Sequence, residues 1–147
     1  MAEPAAVADH VSANEAWCRV MDEVREIEKK ERNSSQNFSF RGIDTVVNAV
    51  GPALRKHRVF VTPYPEDITI TQYETRNGAH MSNAVVKMRY TVRGPAGDSF
   101  DGGAYGEAAD AGDKAVSKAQ AVAYRVFLLQ GLTIPTDEPD PDSDAHQ

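Results

Sequence analysis

Hydrophobic spacing divides the chain into a helical front, a strand-rich middle and a helical back. Trp17, Val20, Met21, Val24 and Ile27 recur at intervals of three and four, which predicts an amphipathic helix over residues 13–31, capped by Ser12 or Asn14. Its other face carries acids and bases by turns, Glu15, Arg19, Asp22, Glu26, Lys29 and Lys30, as expected of a solvated surface or of one that docks on a neighbouring subunit. The polar run 33–37 reads as a linker, and Phe38-Ser39-Phe40 alternates like the start of a strand. Val46, Val47, Val50 and Leu54 then predict a second helix with Asp44 as N-cap. Gly51-Pro52 lies inside it and predicts a kink, because proline removes one backbone hydrogen bond.

From Val59 onward β-branched and aromatic residues dominate, predicting strands at 59–64, 68–74, 81–92 and 99–105. Pro63 and Pro65, Asn77-Gly78, and Gly94-Pro95-Ala96-Gly97 separate them. Asn-Gly between alternating segments favours a tight turn, so the strands on either side form a hairpin and the sheet is largely antiparallel. Val86, Met88, Tyr90 and Val92 share one face of their strand, and Lys87, Arg89, Thr91 and Arg93 share the other; the first is core and the second wet and basic. A glycine-rich stretch, 102–106, leads through Gly112 to Asp113, the expected cap of a helix over 114–130. At about 100° per residue, Ala119, Val122, Ala123 and Val126 form its packing side, while Lys114, Lys118 and Arg125 form a basic stripe. Gly131 is the expected stop. The pattern predicts an α+β fold, an antiparallel sheet packed by helices, organised as a leading helix and linker (1–37), a core domain (38–136) and a disordered acidic tail (137–147).

Charge sharpens this division. The net charge of −6 looks unsuited to a nucleic-acid binder, but residues 1–37 hold 8 acids against 5 bases, residues 38–136 hold 9 against 11, and the tail holds 5 acids with no base. The core is thus slightly basic, which permits a local basic surface without demanding one. The N-terminus lacks a basic region followed by an apolar stretch, and no window reaches the roughly 18 apolar residues of a membrane span, so a cytoplasmic location is expected. The single cysteine, Cys18, excludes an internal disulfide and anchors no thiolate zinc site.

Enzyme chemistry finds little support. The segment 106–114 reads as a flexible loop entering a helix N-terminus, a place for a phosphate, but its glycine spacing is wrong for a nucleotide-binding P-loop and Ala115 stands where a metal-binding hydroxyl belongs. Glu107, Asp110 and Asp113 are oxygen ligands at short spacing; the competing reading makes Asp113 a helix cap and the acids partners of the helix dipole. His10, His57, His80 and His146 have no metal-binding spacing, and no serine or cysteine sits in an activating motif. No cofactor, metal or catalytic residue is assigned.

Cations interleaved with aromatics remain. Single-stranded DNA offers phosphates to the first and unstacked bases to the second. Arg41, Arg55, Lys56, Arg58, Lys87, Arg89, Lys114, Lys118 and Arg125 are the candidate DNA-binding residues, and Phe38, Phe40 and Tyr105 the candidate stacking platforms. Phe60 and Tyr90 are assigned to the core from their places in alternating strands. Arg55, Lys56 and Arg58 have a plainer explanation too, since cations suit a helix C-terminus.

Phe40-Arg41-Gly42-Ile43-Asp44, Gly51-Pro52, Gly106-Glu107-Ala108 with Asp110, Gly112-Asp113-Lys114-Ala115, Lys118-Ala119 and Ile134-Pro135-Thr136 together resemble the essential-recombination-function (Erf) family of phage annealing proteins, over residues 12–136. The resemblance implies a β-β-β-α core and ATP-independent binding and annealing of single-stranded DNA in phage recombination. It also implies a homo-oligomeric ring or filament, with host or phage recombination and replication proteins as further partners. A protein-interaction module that keeps the fold without DNA binding is the alternative.

Overall fold

The computed structural model describes residues 10–34 and 42–135. The elements run α1 (Ala13–Ser34), α2 (Ile43–Lys56), β1 (Phe60–Glu74), β2 (His80–Arg93), β3 (Ser99–Asp110) and α3 (Ala115–Gly131). The strands form one antiparallel sheet in the order β1-β2-β3, and α3 packs across β3 and β2. This is the expected α+β architecture. The predicted start of a strand at Phe38-Ser39-Phe40, and the acidic tail, lie outside the described residues.

Alternation along β2 decides which side of the sheet is core. Ala84, Val86, Met88, Tyr90 and Val92 are buried, joined by Val46, Val50 and Ala53 of α2 and by Trp17, Val20 and Val24 of α1. The front helix is therefore built into the core. Trp17 meets Phe100 edge-on and Phe127 at a tilt, and its indole N–H donates to the Gly131 carbonyl at 2.9 Å. The first backbone N–H of α1, at Ala13, donates to both oxygens of Asp98 in the distant β2–β3 turn, while Ser12 Oγ accepts from Glu15. Capping thus ties the first turn to the sheet and supplies Ser12 as predicted.

Several boundaries differ from expectation for physical reasons. The strands expected at 59–64 and 68–74 are one, β1. It is an edge strand, where prolines cost no ladder bond on the free side, and Pro63 and Pro65 lead only to a bulge between Pro65 and Asp67. Asn33 and Ser34 belong to α1, not to a linker. Gly42, not Asp44, is the N-cap of α2, whose helix passes through Pro52 unbroken. Phe60, assigned to the core, is 59% exposed.

The strand expected at 99–105 runs on to Asp110, so the first half of the expected flexible loop, 106–110, is strand. Its glycines serve close packing. A Cβ at Gly106 would run into the Ala119 carbonyl oxygen and lie 2.7 Å from the Ala123 nitrogen, so only glycine lets α3 settle onto β3. Ala115, Ala119, Ala123, Phe127, Leu128 and Leu129 form the buried face of α3; Val122, expected there, is exposed. Gly131, the expected stop, is the last residue of α3, and the turn that follows has Thr133 in the left-handed region (φ 53°). In the core, Tyr90 stacks on Phe127 with centroids 4.5 Å apart. Desolvation, then the neighbouring Tyr124, push its phenol pKa up to about 12.

Candidate nucleic-acid interface

The antiparallel register fixes what stands on the side of the sheet opposite the core. Phe60, Thr62 and Tyr64 of β1 face Arg93, Thr91 and Arg89 of β2, and Lys87 faces Tyr105 of β3. An open, half-polar sheet face results, with Tyr64 and Tyr105 more than half exposed. Lys87, Arg89 and Tyr105, chosen from the sequence, come together here. Arg89 also lies over the Tyr64 ring, its guanidinium carbon 4.8 Å from the centroid, a cation–π contact.

The cations of this face are largely balanced. Glu66, at the β1 bulge, accepts from Arg89 Nε at 3.0 Å and pairs with Lys87 Nζ at 3.6 Å. Asp101 lies 3.7 Å from the other side of Arg89 and accepts from the Thr91 hydroxyl. Glu107 accepts from the Asn83 amide. Arg93 touches only the Thr62 hydroxyl among the described residues. An incoming phosphate would therefore compete with carboxylates at Lys87 and Arg89 but not at Arg93.

At the corner of the face, where Phe60 begins β1, lies a groove of about 490 Å³ lined by Arg55, Arg58, Phe60, His10 and Pro95, among others. The helix end shapes it. Val59 N donates to the Leu54 carbonyl and Arg58 N to that of Arg55, the paired bonds that close a helix through a left-handed residue. That residue is Arg58, with φ 60°, where glycine would avoid a cost of about 1 kcal/mol. Neither Arg55 nor Arg58 has an ion-pair partner among the described residues. Lys56 points elsewhere, pairing with Glu23 of α1 at 2.8 Å; His57 is 3.3 Å from the same carboxylate. The Lys56 hydrogen bond is the main cause of the lowered Glu23 pKa, so Lys56 ties two helices together.

The remaining candidates fall apart from this surface. Lys114, Lys118 and Arg125 belong to α3, in the helical layer on the other side of the sheet. There the anion site expected at the helix start is filled from within: Asp110 Oδ2 accepts from the backbone N–H of Gly112 and Lys114, and Oδ1 takes Lys118 Nζ. The Lys118 bond, then the two backbone bonds, hold the Asp110 pKa down to about 2. Asp110, rather than the predicted Asp113, thus serves the helix start, and the N-cap position falls on Lys114. Glu107 stands on the opposite sheet face from Asp110, so the three acids do not converge, and no group of three metal ligands occurs among the described residues. Arg41, Phe38 and Phe40 lie outside the described residues.

Sequence reading missed Phe60, Tyr64 and Arg93. For Phe60 and Tyr64 cross-strand register was the absent signal, since only the pairing of β1 with β2 sets them opposite Arg93 and Arg89; Arg93 was already on the wet face of β2 by alternation, but was not singled out for DNA. No described helix is long and apolar enough to cross a membrane. Comparison with curated proteins and with solved structures gives no match. The sequence model of the ERF superfamily, in contrast, matches residues 14–147, from the second residue of α1 onward, and the chain belongs to that family.

Proposed function

We propose that the chain binds single-stranded DNA along a track from the Arg55–Arg58–Phe60 groove past Arg93 to Tyr64, Arg89, Lys87 and Tyr105, and anneals complementary strands without ATP and without catalysis. Its setting is phage recombination in the host cytoplasm, and its working form a homo-oligomer. Membership of the ERF superfamily supports a recombination and annealing role. The observation that carries the track is a coincidence of two features. Two guanidiniums without an ion-pair partner among the described residues stand beside an exposed Phe60, and they adjoin a face where exposed tyrosines alternate with cations.

Annealing needs a strand held by its backbone with its bases available. Phosphate contacts give that grip without reading sequence, and bases stacked on tyrosine rings keep their pairing edges free. Each subunit holds weakly, because Glu66 and Asp101 already occupy Arg89; several subunits on one strand make the grip firm. In this proposal residues 38–136 form the annealing core, and the acidic tail, 137–147, competes with DNA for it.

The carboxylate pairing at Lys87, Arg89 and Lys118 favours a second reading, an interaction module without DNA binding. Fluorescence anisotropy with a labelled oligothymidine separates the two. Wild type should bind, and Arg55→Gln with Arg58→Gln should weaken binding about tenfold or more, lowering the salt slope by roughly 0.7 for each phosphate no longer held. Absence of binding by wild type at low salt would leave the interaction module; unchanged affinity and slope in the folded double variant would remove the groove from the track.

A further inference from the structure

The outer edge of β1 is protected along only half its length. Free strand edges invite pairing, and proteins blunt them with proline, bulges and charge. Pro63, Pro65, the bulge at Glu66 and the charge of Asp67 do this for the first half. Residues 68–73, Ile-Thr-Ile-Thr-Gln-Tyr, contain no proline, glycine or charge, and the strand is the terminal one of the sheet. Ile68 and Ile70 stand on the helix side, in register with buried Val86 and Ala84, yet they are 42% and 55% exposed because α3 lies over β3 and β2 and leaves the outer strand uncovered. Two isoleucines on an unguarded edge form a surface suited to pairing.

We propose that this segment pairs antiparallel with the same segment of a second copy through residues 67–71, joining two sheets edge to edge. The occupant follows from the segment itself. Isoleucine and threonine alternate, so an antiparallel twofold pairing sets isoleucine beside isoleucine on the helix side and threonine beside threonine on the open side. An uncharged edge gives no purchase to a nucleic-acid backbone or to a charged peptide. Pairing centred on Thr69 sets Ile68 opposite Ile70 and Asp67 opposite Thr71, so that no acid faces Glu74; centring on Ile70 would instead bring Glu66 against Glu74.

The symmetry has a structural consequence. A twofold axis perpendicular to the sheet leaves both copies with the same face up, so the two open faces become one continuous surface and the helices share the other side. Pairing supplies an interface for the proposed homo-oligomer but is independent of the DNA-binding proposal, since nothing in it involves the cations, and its test contains no DNA.

Sedimentation velocity on the full chain provides that test. Wild type should sediment with a mass at least twice the 16.0 kDa of one chain. Ile68→Lys and Ile70→Lys, made singly at exposed positions, should keep the wild-type circular dichroism spectrum and fall to the single-chain mass or to a smaller assembly. In a Cys18→Ser background, Thr69→Cys with Thr71→Cys should give a dimer on mild oxidation that reduction reverses. A wild type that stays at the single-chain mass across the concentration range overturns the proposal. So do two folded lysine variants that keep the wild-type mass, or an assembled cysteine variant that yields no covalent dimer.

Discussion

The two faces of β2 are made from alternate residues of one strand, yet they obey opposite rules. On the covered face Ala84, Val86, Met88, Tyr90 and Val92 are buried, and at Gly106 α3 sits too close to admit even a Cβ. On the open face Lys87, Arg89, Thr91 and Arg93 look out between tyrosines, held by hydrogen bonds and ion pairs that water can replace. The covered face is specified by volume and the open face by charge and ring area. Changes to the first should cost stability, and changes to the second should cost binding.

The largest effect is expected at Gly106. Ala119 and Ala123 of α3 leave no space for a Cβ, and the obstructing atoms include helix backbone, which cannot rotate aside. Overpacking a close contact costs typically 1–3 kcal/mol and occasionally more, and here Gly106→Ala should cost about 3 kcal/mol. Urea unfolding followed by circular dichroism measures it. DNA affinity per folded molecule should be unchanged. A destabilisation under about 0.5 kcal/mol, the ordinary range for surface substitutions, would mean that α3 does not seat on β3 this closely.

The open face should behave in the reverse sense. Tyr64 and Tyr105 are exposed, so alanine at either should change unfolding free energy by no more than about 0.5 kcal/mol. Stacking a base on an aromatic ring contributes about 1–3 kcal/mol by alanine substitution, so each variant should bind oligothymidine about fivefold more weakly or worse, while phenylalanine at the same site should restore binding. Wild-type affinity in both alanine variants would remove the rings from the DNA track. If phenylalanine fails to rescue, the hydroxyl rather than the ring is at work.

Much of this contrast was legible in the sequence, and what was not has a physical pattern. Alternation of Val86, Met88, Tyr90 and Val92 with Lys87, Arg89, Thr91 and Arg93 fixed both faces of β2, because side chains in a strand point up and down in turn. Residues on other strands were harder. Phe60 looked like core from its place in an alternating strand, yet it starts an edge strand at the corner of the open face. Residues 106–110 looked like loop because close helix–strand packing and flexibility use the same residue, glycine. Lys114 and Lys118 share a helix end, as spacing predicted, but Asp110 fills the space before them; a single carboxylate folded back onto its own helix leaves no periodic signal. Register and layer, set by contacts distant in sequence, decide which cations gather.

The smallest expected effect lies where the open face restrains itself. Glu66 enters the face only because the bulge between Pro65 and Asp67 turns it there, and its two oxygens engage Arg89 and Lys87. Such exposed pairs stabilise a fold by about 0.2–1 kcal/mol, so Glu66→Gln should leave stability nearly intact. Its influence on binding runs the other way. A phosphate approaching Arg89 must displace this carboxylate, and glutamine keeps the hydrogen-bonding shape while removing the competing charge. Single-stranded DNA should bind the variant a few-fold more tightly, with the gain largest at low salt, where charges are least screened. The salt slope should steepen by roughly 0.7 if one further phosphate is held. A gain that persists unchanged at high salt would assign the effect to altered packing of Tyr64 against Arg89, and no gain at any salt would place the DNA away from Lys87 and Arg89.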